Sequence, residues 1–221
     1  MVIDAMLQTE YSEEFCLARD FNEDFISRLM KAGFLVMSTE LKDEDSGTEN
    51  ESEAAEQFYI LLPKLHLVRS VLFFPDLHIK KSIRPFISKY ELRVNSDFNF
   101  ILDKCVQIHG SDWLTKPLVE VLKNLHNSDA GAKPFSFAVY REGNLRAGEI
   151  GVVIGRVYTS YSGYYEEDNA GTVQIILMAR WLEENGFAFL DLGMPMEYKA
   201  ALGAKDISPD RFVELFRAAR S

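Results

Sequence analysis

The sequence predicts an α/β fold of the α+β kind, with one domain over residues 63–221 and a smaller α+β region over residues 1–62. Three observations support this prediction. The chain has 221 residues, 47% of them hydrophobic, which is enough to bury a core. Strand-like apolar runs alternate with amphipathic helices along the chain. From Pro134 onwards, hairpin strands lead into a single β-α-β unit.

The N-terminal region contains a predicted helix over NEDFISRLMKAGF, residues 22–34. Its apolar residues recur at helical spacing, Asn22 can cap the helix and Gly33 can end it. Residues 43–56, DEDSGTENESEAAE, contain seven acidic residues and no basic residue, so they are predicted to form a solvated loop. This loop is either an insertion without a function of its own or an acidic docking segment.

The middle of the chain combines short strands with helices. FYILL and LVRSVLFF are rich in apolar and aromatic residues and are predicted as strands, the second ending at Pro75. A short helix over residues 84–90 and a strand over ELRVN follow. Two further helices are predicted, one over DFNFILDKCVQIH with Ser96 as its N-cap, and one over residues 115–127.

The C-terminal part begins with a β-hairpin whose two strands are joined by Glu-Gly-Asn. The second strand is predicted to continue into a cluster of four tyrosines at positions 158, 161, 164 and 165. GTVQIILMARWLEENG is predicted as a helix closed by Gly186, and FAFLDLG as a short buried strand. Two helical segments end the chain, MEYKAALGA and SPDRFVELFRAAR, the latter with Ser208 as N-cap.

Composition excludes several classes of protein. The net charge is −10, but the chain without residues 43–56 carries only −3, so charge argues weakly against an RNA partner. No apolar run is long enough to span a bilayer, and the N-terminus lacks a secretory signal. Cys16 and Cys105 lie 89 positions apart, which favours reduced thiols in a cytoplasmic protein. The four histidines lack metal-ligand spacing, so no metal site is expected.

The C-terminal order of elements resembles the acetyltransferase-type (GNAT) α/β fold, in which two central strands splay apart and admit an acyl donor. Acetyltransferases bind the pyrophosphate of coenzyme A at the N-terminus of the helix in this unit, through backbone N–H groups. Here that position carries Glu166, Glu167 and Asp168, and like charges repel. Coenzyme A is therefore not expected, and no other cofactor is predicted.

Five stretches of the chain resemble bacterial leucyl/phenylalanyl-tRNA–protein transferases. They are CLARDFNEDFISRLMKAGFL, FFPDLHIKKSIR, SDWLTKPLVEVLKNLH, FAVYREGNLRAGEIGVVIGRVY and FLDLGMPMEYKAALGAKDISPDRFVELF. Their order and spacing match the family over residues 15–219, with an interruption at the acidic loop. The chain therefore resembles a divergent member of that family with a GNAT-like C-terminal domain.

The resemblance implies an activity and its partners. Members of the family move Leu or Phe from aminoacyl-tRNA to an N-terminal Arg or Lys of a protein, which marks the product for degradation by the N-end rule. In this ester aminolysis the incoming amine must lose a proton, and the developing oxyanion needs hydrogen-bond donors. The expected partners are an aminoacyl-tRNA charged with Leu or Phe and a protein or peptide N-terminus, bound by a monomer.

The same resemblance assigns catalytic positions. Asp191 matches a family Asp that polarises a Gln two positions on, and the Gln position is Gly193 here. Tyr161 stands where the family has a glutamate and could act as a phenolic acid or base, or as an oxyanion donor. Its ordinary pKa of about 10 makes a phenol a poor base near pH 7.

Substrate-binding positions follow in the same way. Ser160, Ser162 and Gly193 line the predicted site, with Gly163 in the place of a methionine of the family's acyl pocket. Trp113 keeps an aromatic position that can hold the terminal adenosine. Each of two residues also has a purely structural interpretation. Asp191 could serve only to accept backbone N–H groups, and Trp113 could be only a packing residue.

The sequence is compatible with two other functions. Because the family's Gln and Glu are replaced, the chain could be a catalytically silent member that binds an RNA 3′ end, a peptide N-terminus or a protein partner. A third hypothesis is acyl transfer from another donor.

Overall fold

The computed structural model describes residues 2–8, 14–41, 58–110, 112–129 and 131–220. The predicted acidic loop, residues 43–56, lies outside the described residues. The division into two regions after residue 62 stays a prediction, and position 62 falls inside the strand Phe58–Lys64.

The helices are α1 (Val2–Gln8), α2 (Glu23–Ala32), α3 (Arg84–Ile87), α4 (Phe98–His109), α5 (Lys116–His126), α6 (Ala170–Glu184), α7 (Glu197–Ala201) and α8 (Pro209–Ala219). The strands are β1 (Leu35–Leu41), β2 (Phe58–Lys64), β3 (Arg69–Leu72), β4 (Glu91–Val94), β5 (Lys133–Arg141), β6 (Asn144–Ile154), β7 (Val157–Tyr165), β8 (Phe189–Asp191) and β9 (Lys205–Ile207). A 3₁₀ turn, Phe74–Asp76, follows β3.

Seven of these strands form one sheet in the order β4-β5-β6-β7-β8-β3-β9, and β1 and β2 form a separate antiparallel pair. Among the described strands of the large sheet, β7 and β8 are the parallel pair, and the other neighbours run antiparallel. The parallel pair is connected by α6, which gives the single β-α-β unit. The predicted α/β class with a GNAT-like C-terminal domain is confirmed.

The two parallel strands diverge beyond their first three residue pairs. Thr159 pairs with Asp191, where β8 ends, while β7 continues to Tyr165. Within β7, Ser160 and Ser162 pair with consecutive residues of β6, so Tyr161 forms a β-bulge. Bulges bend a strand and increase its twist, which helps β7 to turn away from β8. The wedge between the strands therefore begins at Thr159 and Asp191.

Apolar side chains cover both faces of the sheet. On one face α6 packs its buried side chains, Met178 among them, against Phe137 and Tyr158 of the sheet. On the other face α4, α5, α2 and α8 bury a larger core, which includes Ile101 and Phe212. The wedge between β7 and β8 thus lies between two packed layers.

Several helix ends are as predicted. Asn22 accepts hydrogen bonds from the N–H groups of Asp24 and Phe25 at 3.0 and 3.3 Å, and Gly33 ends α2 with φ of 110°. Ser208 caps α8 by accepting the N–H of Arg211 at 3.4 Å. These caps use local chemistry that a sequence shows directly.

Two local predictions were wrong. Ser96 does not cap α4, because Asp97 takes the N-cap position with φ of 55° and the Ser96 carbonyl accepts a hydrogen bond from Ser136 Oγ at 2.7 Å. The strand predicted to run into the tyrosine cluster is interrupted by a turn at Gly155, φ 54°, so β6 and β7 form a second hairpin. A side chain at Gly155 would meet the backbone of Arg220, which explains the glycine.

Candidate active site

Asp191 ends β8 at the point where the wedge opens, and its carboxylate is fully buried. Arg69 donates to it from Nε at 2.8 Å and from Nη2 at 2.5 Å. Thr159 Oγ1 donates at 2.9 Å and the backbone N–H of Gly193 at 3.0 Å. Four donors fix this carboxylate, and it in turn holds the backbone at Gly193 in place.

Arg69, at the start of β3, is the counter-charge of Asp191 and is only 1% exposed. Its guanidinium carbon lies 4.3 Å from the ring centroid of Phe212 on α8, which covers it from solvent. The third nitrogen, Nη1, has no hydrogen-bond partner among the described residues. Arg69 is the single charged residue in the apolar run LVRSVLFF, and that pattern is the local signal that could have identified it from the sequence.

His66 lies against Gly193, the position to which the resemblance assigns a glutamine in the family. Its Nε2 is 3.8 Å from where a Cβ at Gly193 would stand, and the side chain is 6% exposed. Burial, followed by the positive charges of Arg69 and Lys64, lowers the pKa of His66 to about 3. Nδ1 is 3.9 Å from Glu14 Oε1, too far for a hydrogen bond. A neutral imidazole therefore occupies the space beside the missing side chain.

Tyr161 lies at the bulge of β7, where the charges of Arg69 and Asp191 act on it. Its hydroxyl accepts the backbone N–H of Val36 at 3.1 Å. Burial raises the pKa of Tyr161 well above its ordinary value, and the phenol stays protonated at neutral pH. The hydroxyl hydrogen is thus available for donation, while the oxygen cannot act as a base.

The other residues predicted for the site, Ser160, Ser162 and Trp113, lie in three different environments. Ser160 faces Glu149, while Ser162 lies beside Cys105 of α4, on the opposite face of the sheet. The carbonyl of Trp113 accepts the N–H of Ser38 at 2.9 Å, and its partly buried side chain packs on the main core. Ser38 is two residues from the Val36 that contacts Tyr161, so β1 brings Trp113 to the neighbourhood of the site.

A narrow apolar crevice lies beside Tyr161 and Thr159. It has about 190 Å³ of space between atoms but is nowhere wide enough for a water molecule. Met30, Phe34 and Phe216 are among its lining residues. The crevice is a packing gap in this structure and not an open acyl pocket.

The acidic cluster before α6 is less negative than the sequence indicates. Glu167 accepts the hydroxyl of Tyr90 at 2.6 Å and lies 3.5 Å from Arg141 and 3.7 Å from Arg146. Glu166 is 4.0 Å from Lys104. These contacts weaken the argument from charge against a phosphate at this helix start, so exclusion of coenzyme A stays a prediction.

Within the described ranges, no three His, Cys, Asp or Glu side chains are grouped so as to bind a metal ion. Among the described residues, none of the helices combines the length and the apolar composition that crossing a membrane requires.

Comparison with known proteins agrees with the motifs. Residues 71–217 match the family model for leucyl/phenylalanyl-tRNA protein transferase. The leucyl/phenylalanyl-tRNA–protein transferase of Pseudomonas entomophila (strain L48) is 30% identical over 151 residues, which cover 66% of each chain. That of Pseudomonas aeruginosa (strain LESB58) is 28% identical over 157 residues, 69% of this chain and 68% of the relative.

Solved structures give more distant matches. L-PGS from Bacillus licheniformis matches with a TM-score of 0.47 and 11% identity, over 70% of this chain and 65% of that chain. The C-terminal domain of a putative lysylphosphatidylglycerol synthetase from Agrobacterium fabrum matches with a TM-score of 0.41 and 14% identity, over 69% and 50%.

The match to these transferases spans about two thirds of their length. The family model covers most of the sheet and includes Asp191, while Arg69 and His66 lie just before its first residue. The chain belongs to the leucyl/phenylalanyl-tRNA–protein transferase family.

Proposed function

We propose that the chain transfers an aminoacyl group from an aminoacyl-tRNA to the N-terminal amine of a protein or peptide. The observation that carries the proposal is the fixed Asp191 carboxylate at the divergence of β7 and β8, in a chain of this family. His66 and Tyr161 lie beside it with one acceptor and one donor for the reacting groups.

The reaction forms an amide C–N bond and breaks the ester C–O bond to the terminal ribose. The neutral imidazole of His66 accepts a hydrogen bond from the attacking amine and orients its lone pair. The low pKa of His66 makes it a poor final acceptor, so the amine proton leaves with the ribose oxygen. Tyr161 donates its hydroxyl hydrogen to the developing oxyanion. Asp191 acts through Arg69 and the Gly193 backbone, which keep these groups in place.

An open depression on the α6 face of the sheet offers positive charge to RNA. It has a volume of about 580 Å³ and is lined by Arg84, Arg180 and His78, among others. All three side chains are exposed. Arginine guanidinium groups bind phosphate oxygens in bidentate geometry, and such contacts supply much of the affinity for nucleic acid.

The test is transfer of radiolabelled amino acid from individually charged tRNAs to a peptide that begins with Arg. The tRNAs carry Leu, Phe, Met, Lys or Arg in separate reactions. Transfer above the tRNA-only background is expected with at least one of them, and it should fall in Tyr161→Phe but not in Glu120→Gln, an exposed position on α5. Folded protein that binds charged tRNA without any transfer would support the silent-member alternative instead.

A further inference from the structure

Lys199, on α7, is a buried lysine whose ammonium binds backbone carbonyls. The residue is 6% exposed, and its Nζ donates to the carbonyl of Leu192 at 2.6 Å and to that of Met194 at 2.8 Å. Within the described ranges it forms no ion pair with an acidic side chain, and the acids around it act through charge alone. Buried lysines are ordinarily paired with a carboxylate, because a desolvated charge is costly. This lysine instead holds the backbone of residues 192–194.

Those residues form the turn that follows β8 and carries Gly193. The N–H of Leu192 donates to the carbonyl of Ser70 at 2.9 Å, and the carbonyl of Gly193 accepts the N–H of Ser70 at 2.7 Å. The N–H of Gly193 is held by the site carboxylate at 3.0 Å. Each of the three carbonyls of the turn thus accepts a hydrogen bond, and two of these bonds come from Lys199.

The turn needs such contacts because Gly193 cannot fix itself. Its φ of 72° lies in the left-handed region, and a glycine has the greatest backbone freedom of any residue. It also has no side chain to pack, although the space beside it is open. A Cβ here would lie 3.8 Å from both His66 Nε2 and Leu35 Cδ1. The order of the turn therefore depends on bonds made by its backbone, among them those from Lys199.

The helix that carries Lys199 is itself fixed at its other end. The carbonyl of Leu202, just after α7, accepts the N–H of His78 at 2.9 Å. At Gly203 the chain runs so close to the 3₁₀ turn after β3 that a Cβ there would overlap the carbonyl oxygen of Asp76. Lys199 therefore connects the turn at Gly193 to a helix that is tied to the sheet.

Stability alone does not account for a lysine at this position. Burial, the largest effect, lowers the pKa of Lys199, and Nζ lies 5.7 Å from the ring centroid of Tyr198. A neutral side chain of similar length would avoid the cost of desolvating a charge, and such replacements of buried charges are often neutral or stabilising. The charged groups that face Lys199 from the packed elements are Glu149 of β6, Asp191 of β8, Arg69 of β3 and Asp206 of β9.

We propose that Lys199 is a positioning residue for the reaction, holding the turn over residues 192–194 and with it the place beside Gly193 where His66 orients the attacking amine. The proposal rests on the proposed aminoacyl transfer. Lys199 acts through the backbone of the turn, so it affects how the bound groups are aligned. Misplacement by about 1 Å can cost about 100-fold in rate. Loss of Lys199 should therefore lower kcat and leave KM nearly unchanged.

Hydrogen–deuterium exchange measures the turn without any need for activity. Mass spectrometry follows peptides that cover residues 190–198. Lys199→Met keeps the length of the side chain but has no donor, and it should raise the exchange rate of this segment at least about fivefold, as the loss of an ordinary hydrogen bond predicts. Lys199→Arg keeps a cation with N–H donors and should retain most of the protection. Lys205→Met, at an exposed lysine of β9, is the matched control and should change nothing.

Steady-state transfer from charged tRNA to a peptide beginning with Arg gives the second readout. In Lys199→Met, kcat should fall about 10–100-fold, with KM for both substrates within about twofold of the wild type. Lys199→Arg should retain more activity than Lys199→Met, and Lys205→Met should match the wild type. Circular dichroism shows that each variant is folded, and Lys199→Gln, a shorter neutral donor, replaces Lys199→Met if that variant does not fold.

The outcomes separate the two proposals. Unchanged exchange in Lys199→Met, a change in KM without a change in kcat, or equal losses in Lys199→Met and Lys199→Arg overturns the role of Lys199 and leaves aminoacyl transfer standing. Faster exchange in Lys199→Met, together with a wild type that transfers no amino acid, confirms the hold on the turn and overturns the transfer activity on which its part in the reaction rests.

Discussion

Replacing Arg69 with Met should destabilise the protein strongly, because it leaves the Asp191 carboxylate buried without a counter-charge. Arg69→Met removes the two charge-assisted bonds at 2.8 and 2.5 Å and keeps only the donors on Thr159 and Gly193. Breaking a buried ion pair on one side costs about 3–5 kcal/mol. For a chain of this length that corresponds to a fall in Tm of roughly 6–20 °C.

The measurement is urea unfolding of the wild type, Arg69→Met, Asp191→Asn and the double variant at pH 7. The double variant should be more stable than Arg69→Met alone, because Asn carries no charge to leave unpaired. The coupling free energy should be at least about 2 kcal/mol. A cost below about 1 kcal/mol for Arg69→Met, or additive effects, would refute the view that this pair holds the site together.

Three further predictions concern single side chains. Glu149→Gln should be more stable than the wild type by roughly 3 kcal/mol at pH 8 but not at pH 4.5, as urea unfolding at both pH values measures. Burial raises the pKa of Glu149 from 4.5 to about 7, so ionisation of this buried carboxyl destabilises the folded wild type progressively as the pH rises from 4.5 to 7, and Gln carries no such charge. His66→Leu should lower kcat by about 10–100-fold with little change in KM, while His66→Gln, which keeps an acceptor, should retain most activity; equal losses would contradict the positioning role. Tyr161→Phe should lower kcat by about 100-fold, and an unchanged kcat would exclude it as the oxyanion donor.

Much of the fold follows from local sequence signals. The helix caps at Asn22, Gly33 and Ser208 depend on side chains within three residues, and the sequence shows them. Strands β1 and β9 were not predicted. β9 has only three residues. Both β1 and β9 are stabilised by pairing with strands that lie elsewhere in the sequence, β2 and β3. The turn at Gly155 was missed because its reason is a contact with Arg220, 65 positions away.

The site could be predicted only in part. Asp191 and Tyr161 were found by resemblance to the family, and the structure places them on neighbouring strands. Arg69 and Asp191 are 122 positions apart, so no spacing rule links them. The sequence does not single out His66 for this site, since nothing local shows that it lies against Gly193. The sequence pattern does mark Arg69 and Glu149, because each is a charged residue inside an apolar strand.

We propose that the Asp191 site transfers an amino acid from tRNA to a peptide amine. The most direct measurement is single-turnover transfer from charged tRNA to a peptide beginning with Arg, comparing wild type with His66→Leu and Tyr161→Phe. We expect transfer by the wild type, and we expect both variants to reduce it while tRNA binding is kept. Folded wild-type protein that transfers none of the tested amino acids, or variants that transfer as fast as the wild type, would contradict it.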